Sequence, residues 1–136
     1  MSLSQSIERK FVESIVIPDF LSISVKSHDG FRKVTHSNLT VPYQVFKLTL
    51  ENGMFLECAD DHIIIDVDNN EVFAKDSLGI YVNTEYGSSK VVSVEETGTE
   101  ENMYDLSVEG DHLYFTNGIL SHNTTTLGMD VLHDVI

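Results

Sequence analysis

His122-Asn123-Thr124 places three kinds of reactive group on consecutive residues. An asparagine side-chain amide can attack its own backbone carbonyl, close a five-membered succinimide and break the chain after itself. The imidazole before it can protonate the leaving amine or polarise the carbonyl, because histidine titrates near operating pH. The threonine after it offers a β-hydroxyl that an adjacent base or carboxylate can turn into a nucleophile. Acid, scissile bond and nucleophile thus share one tripeptide. Such triplets also arise by chance in ordinary turns, so the surrounding elements decide between the two readings.

Those elements read mainly as strands. Residues 3–17 put Ile7, Phe11 and Ile15 at helical spacing, with Glu8, Arg9, Lys10 and Glu13 between them and Pro18 as a stop, which predicts a short helix. After it the period becomes two. Leu21, Ile23 and Val25 alternate with polar residues, and Asp29-Gly30 supplies a hairpin turn before Phe31–His36. Phe46, Leu48 and Leu50 then share a face, Asn52-Gly53 is a strong turn signal, and Met54, Leu56 and Cys58 continue the apolar face. Strands are also predicted at Ile63–Ile65, Val72-Phe73, Leu78–Val82, Val91–Glu95, Met103–Val108 and His112–Phe115, with Asn117-Gly118 as a further turn. From Thr124 the pattern changes: Leu127, Val131 and Val135 form a helical apolar stripe. The expectation is a mostly β single domain with a short appended helix.

The chain has 136 residues, enough for one domain with a core. Eight Lys+Arg stand against 22 Asp+Glu, a net charge of -14, which opposes binding to phosphate backbones and anionic lipid. Nucleic acid and membrane are therefore not expected partners. Residues 51–111 carry 16 of the acids and only two of the bases, so a basic partner is the sharper reading and a solvated acidic face the plainer one. Cys58 is the single cysteine, which excludes an internal disulfide and suits a cytoplasmic location. No apolar run approaches the length of a membrane span, and the first residues lack a signal-peptide pattern.

The segment from Met103 to Thr124, Met-Tyr-Asp-Leu-Ser-Val-Glu-Gly-Asp-His-Leu-Tyr-Phe-Thr-Asn-Gly-Ile-Leu-Ser-His-Asn-Thr, resembles the C-terminal signature of inteins, the self-splicing protein elements. Asp105, His112, Asn117-Gly118, His122, Asn123 and a hydroxyl residue at 124 all stand at that family's spacing. Upstream, Phe46–His62 is similar to the intein hairpin that leads into Thr-x-x-His, here Ala59-Asp60-Asp61-His62, and Phe73–Leu78 is similar to the stretch that follows. The resemblance runs from about Leu21 to Asn123. Two departures stand out. Ala59 replaces the family's threonine, and Met1–Ser6 does not look like an intein opening, which begins with Cys or Ser and a short strand.

The resemblance implies a Hint-type, horseshoe-like β fold lacking its first N-terminal segment. It divides the chain into residues 1–123, the large C-terminal fragment of an atypically split intein of phage type, and residues 124–136, the start of the C-extein. The Thr124–Leu127 run entering an apolar helix resembles the end of a phosphate-binding loop, as in terminase-like motors or other ATPases. The implied activity is autocatalytic trans-splicing without cofactor or metal. A short, basic N-fragment beginning with Ser or Cys makes an ester or thioester, Thr124 takes the acyl group, Asn123 cyclises, and the Thr124 ester rearranges to a peptide. His62 is expected to polarise the upstream scissile peptide, Asp105 to hold Thr124 and relay a proton, and His112 and His122 to assist Asn123. Strand alternation is expected to bury Tyr104, Leu106 and Val108 and to turn Asp105 to the opposite face.

The alternatives are a cis-splicing element that uses an early serine (Ser2, Ser4 or Ser6) and a noncatalytic acidic β domain that binds a basic protein. Cys58 reads as core. Asp66, Asp68 and Asn70 imitate a calcium loop, but Glu71 and Ser77 occupy the positions that need Gly and Glu, so the segment reads as a solvated turn. His28, His36 and His133 lack ligand partners at metal spacing and receive no role.

Overall fold

Twelve strands run between Phe11 and His122 in a computed structural model that describes residues 10–122. They are β1 Phe11–Val16, β2 Ser24–Ser27, β3 Gly30–Thr40, β4 Tyr43–Leu50, β5 Phe55–Ala59, β6 Ile63–Ile65, β7 Glu71–Phe73, β8 Tyr81–Thr84, β9 Gly87–Glu101, β10 Tyr104–Val108, β11 Leu113–Thr116 and β12 Ile119–His122. All pairings are antiparallel. The smaller sheet runs β1-β3-β10, with β2 also on β3. The larger runs β5-β4-β9-β8-β12-β6-β7, with β11 on β12. This is the mostly β domain that the alternation predicts. The appended helix expected after Thr124 lies outside the described residues.

The β4–β5 hairpin forms as its pattern requires. Leu48 pairs with Leu56 and Phe46 with Cys58, and Asn52 Oδ1 accepts the Met54 N–H while Gly53 takes φ +92°. Leu48, Leu50, Leu56 and Cys58 then meet Ile64, Val82, Val91 and Ile119 in the main core. Cys58 is a core residue, as read. A second, smaller core of Val34, Val108 and Tyr114 lies under the smaller sheet.

Two expectations are corrected. Phe11–Val16 is a strand and not a helix. Its apolar spacing fits either period, but Val12, Ile15 and Val16 are β-branched and β3 offers a ladder, with Ser14 opposite Asn38 and Ile15 opposite Ser37. The rest of the expected helix, residues 3–9, lies outside the described residues. The β10 face is also reversed: Tyr104 is 78% exposed and Asp105 is buried. Asp105 stands opposite Asn38 on the inner face, and a bulge between Ser107 and Val108 then brings Val108 back inward. Hydrophobic alternation misreads a strand whose buried face is polar. Two smaller shifts follow turn chemistry. Asp19–Leu21 makes one 3-10 turn rather than opening β2, and Leu78-Gly79 forms a turn before β8, with Gly79 at φ +83°.

Leu48→Ala is expected to cost about 2–5 kcal/mol in urea unfolding, because it leaves a cavity in the main core. Tyr104→Ala is expected to stay within about 0.5 kcal/mol of wild type. A large loss for Tyr104→Ala would restore the face that alternation implies.

Candidate functional site

The strand that ends beside Asn123 is positioned by the Asn117-Gly118 turn. Both residues take positive φ, +49° and +85°, which a two-residue hairpin connection needs and which asparagine and glycine tolerate. The Asn117 side chain donates to the Phe55 carbonyl, and a Cβ on Gly118 would run into the Met54 methyl. The turn returns β11 as β12, which pairs with β6 so that Ser121 faces Ile64 and His122 faces Ile63. His62, the residue before β6, is held by its backbone: its N–H reaches the Ala59 carbonyl, and its own carbonyl accepts the Ala74 N–H.

His62 Nε2 and Ser121 Oγ are 3.0 Å apart. Ser121, 1% exposed, also donates its hydroxyl to the Ile119 carbonyl at 3.1 Å. A hydroxyl has one hydrogen, so with Ser121 donating to Ile119 it is His62 Nε2 that donates in that contact. Ala59, at the end of β5, is buried and brings no hydroxyl to this corner.

His112 and His122 form the second part of the site. Their ring centroids are 6.1 Å apart with a 50° tilt. His112 adopts φ +65° in the connection between β10 and β11, and its Nδ1 lies 3.2 Å from the Val108 carbonyl. That contact makes Nδ1 the donor and turns Nε2 away from β10. His122 Nε2 is 3.8 Å from Glu71 Oε2, close enough for Glu71 to stabilise a protonated imidazole. Asp105 lies on β10 in the other sheet, 3% exposed, in a row with Asn38 and Ser14. Asn123 and Thr124 lie outside the described residues, one and two positions beyond His122.

A groove of about 760 Å³ runs up to His122, lined among others by Lys26, His28, Glu71, Asn83, Asp111 and Leu120. Its rim is tied by ions. Asp111 Oδ2 contacts His28 Nε2 at 2.9 Å and Asp111 Oδ1 contacts Arg32 Nη1 at 3.1 Å, while Arg32 also donates to the Glu109 carbonyl. A Cβ on Gly110 would collide with the Arg32 guanidinium. This clasp fixes the loop that carries His112. Partial burial pushes the Asp111 carboxyl up, but hydrogen bonds from His28 and the Leu113 N–H, together with the Arg32 charge, outweigh it and hold the carboxyl below its ordinary range.

The structure thus brings His62, His112 and His122 to the end of β12 and keeps Asp105 buried on β10. The sequence reading missed three participants. Ser121 received no reading of its own, Glu71 looked like part of a solvated turn, and His28 like a histidine without partners. The signal for Ser121 was its place two residues before Asn123. The turn at Asp66 is as expected, since Asp66 Oδ1 accepts the N–H groups of Asp68 and Asn70 at 2.9 and 2.8 Å. No cluster of metal-ligating side chains occurs among the described residues, and no described helix is long and apolar enough to cross a membrane.

No family model matches the chain. Over 94 residues, 60% of its length, it is 30% identical to a DNA polymerase of Thermococcus aggregans, of which it spans only 5%. Among solved structures it is similar to the VidaL intein, at TM-score 0.70 and 26% identity, covering 75% of this chain and 70% of that one. It is similar to the gp41-1 intein at TM-score 0.66 and 23% identity, covering 88% and 85%. A consensus engineered intein with an atypical split site matches at TM-score 0.59 and 24% identity, covering 78% and 86%.

The Asp111 clasp has a signed pH dependence. A carboxyl held low in the folded state stabilises above its unfolded pKa of about 3.9 and loses that contribution as pH falls through the folded value. Asp111→Asn is therefore expected to lower the urea midpoint at pH 7 and to match wild type near about pH 2, where both side chains are neutral. A midpoint difference independent of pH would assign the residue a packing role instead.

Proposed function

We propose that this chain, which has the fold of the inteins and is an autocatalytic element of their kind, works in trans: it joins a complementary N-terminal fragment and splices the flanking sequences together. Cleavage and ligation of peptide bonds is the activity of that fold family. Support for the trans reading comes from the engineered intein with an atypical split site among the neighbours. The observation that carries the assignment of roles is the β12–β6 register, which sets His62, Ser121 and His122 together immediately before Asn123.

The bond changes follow from the groups present. The first residue of the N-fragment, a serine or cysteine, attacks the carbonyl before it, forming an ester or thioester and freeing its own α-amine. His62, anchored through Nε2 to Ser121, acts in its imidazolium form, whose Nδ1–H polarises that peptide and passes to the departing nitrogen. Thr124 Oγ1 then attacks the ester carbonyl and releases the first nucleophile, with the Asp105 carboxylate accepting the hydroxyl proton. Asn123 Nδ2 next attacks the Asn123 carbonyl, closing the succinimide and expelling the Thr124 α-amine. His122, beside Glu71, protonates that amine, and His112 Nε2 assists the attack. The freed amine finally takes the acyl group from the Thr124 oxygen. Positioning and proton transfer by residues of the chain suffice for every step.

In this reading residues 1–123 are the splicing body and 124–136 begin the C-extein, with the phosphate-loop ATPase as its host class. The acidity of residues 51–111 assigns the N-fragment a basic character, because opposite charge speeds encounter.

Mixed with an N-fragment that starts with Cys or Ser, the chain is expected to yield ligated extein on a denaturing gel. Asn123→Ala is expected to abolish ligation and leave a branched species, and His62→Ala to slow the first step by about 10²–10⁴-fold. Loss of the 124–136 peptide without any N-fragment would establish the cis reading instead, and an inert Asn123 would leave an acidic binding domain. Association with the N-fragment is expected to slow as salt rises from about 0.05 to 0.5 M. A salt-independent rate would remove the basic partner.

A further inference from the structure

The smaller sheet contains a buried polar row across three strands. Ser14 on β1, Asn38 on β3 and Asp105 on β10 stand directly opposite one another in the two registers, so their side chains share one face. They are 8%, 0% and 3% exposed. Ser14 Oγ donates to Asn38 Oδ1 at 2.5 Å, and Asn38 Nδ2 donates to Ser107 Oγ at 3.0 Å. Ser107 lies two residues from Asp105 on the same strand and the same inner face. With Ser14 donating to Oδ1 and Nδ2 donating to Ser107, Oδ1 faces β1 and the NH₂ group faces β10.

Packing alone does not call for asparagine here. Burying a primary amide costs about 1–3 kcal/mol unless its ends are bonded, and Val34, four residues earlier on the same face of β3, shows that an aliphatic side chain fits this layer. What an amide adds is a fixed dipole whose positive end points at the strand that carries Asp105. A buried carboxylate needs such groups to remain ionised, since burial alone favours the neutral acid. Directly opposite residues on neighbouring antiparallel strands have Cβ atoms about 4.5–5.5 Å apart, within range for that dipole to act.

We infer that Asn38 is the positioning residue of Asp105: tied to β1 by Ser14 and to β10 by Ser107, it holds the buried carboxylate ionised and oriented for the Thr124 step. This rests on the splicing role proposed above for Asp105, whereas the bracing of Asp105 by Asn38 is independent of it. The other ionisable groups on the strands packed here have separate places. His36 lies on this face one pair along, opposite Ser107, with Nδ1 3.0 Å from Thr35 Oγ1. Glu13 on β1 is exposed, Arg32 and Lys33 at the start of β3 are committed to Asp29 and Asp19, and the Tyr114 hydroxyl accepts the Leu106 N–H.

The test is an NMR titration of the Asp105 side-chain carboxyl in the full chain, with splicing rates measured on the same variants. Asn38→Leu, similar in volume and apolar, is expected to raise the Asp105 titration midpoint by about one pH unit or more and to slow ligation about tenfold at pH 7. In an Asp105→Asn background the same substitution is expected to change the rate less than about twofold, because its effect passes through that carboxylate. An unmoved midpoint, or a tenfold loss that persists without Asp105, would overturn the inference. Should Asn38→Leu fail to fold, Ser107→Ala decides, since it removes the β10 arm of the Asn38 amide and is expected to shift the midpoint in the same direction. A chain that does not splice at all would refute the proposed function, while the titration would still decide the role of Asn38.

Discussion

Ser121 opposite Ile64 and His122 opposite Ile63 are the pairs on which the rest of the site depends. They connect residues 57 and 59 apart in sequence, and through them His62 meets Ser121 and the end of β12 is fixed. The core enforces this register. Ile63, Ile64 and Ile119 are fully buried, each contributing about 1.5–3 kcal/mol, whereas the His62–Ser121 hydrogen bond contributes about 0.5–1.5 kcal/mol. Because β6 is buried on both faces, a one-residue slip would move each isoleucine into a site filled by its neighbour and carry His62 away from Ser121. The imidazoles therefore stand where apolar packing puts them, and their own hydrogen bonds select tautomer and tilt.

The polar groups divide into two buried sets with different duties. At the end of β12, Ser121 and the Val108 carbonyl each engage one nitrogen of an imidazole and so fix its ring. Beneath the smaller sheet, Ser14, Asn38 and Ser107 form a hydrogen-bonded chain in the layer that also holds the buried Asp105. Between the two lies the loop of His112, held at its rim by Arg32 and His28 through Asp111. That clasp is exposed enough for salt and acid to weaken it, unlike either buried set.

Much of this was legible in the residues, and the exceptions share one cause. Hairpins with Asn-Gly turns and period-two apolar faces, β4–β5 and β11–β12, formed where the pattern put them, because local turn chemistry and burial agree there. Phe11–Val16 and β10 were misread because their conformation is set by a distant partner, β3, which no local period reports. The same strand explains Asp105: a buried carboxylate on the inner face inverts the rule that alternation buries the apolar side. His62 and His112 were singled out through a family resemblance, and His122 first through the chemistry of the His122-Asn123-Thr124 tripeptide. Ser121, Glu71 and His28 were missed because their roles arise from cross-strand proximity and not from spacing along the chain.

If this β body carries the groups that break the chain after Asn123 and join its flanks, intact-mass spectrometry after reaction with an N-fragment will show a species that ends at residue 123 and is one water lighter than the free asparagine acid, the mass of the cyclic imide, together with ligated extein. A product cleaved elsewhere, or one that carries the full water from its first appearance, would contradict it.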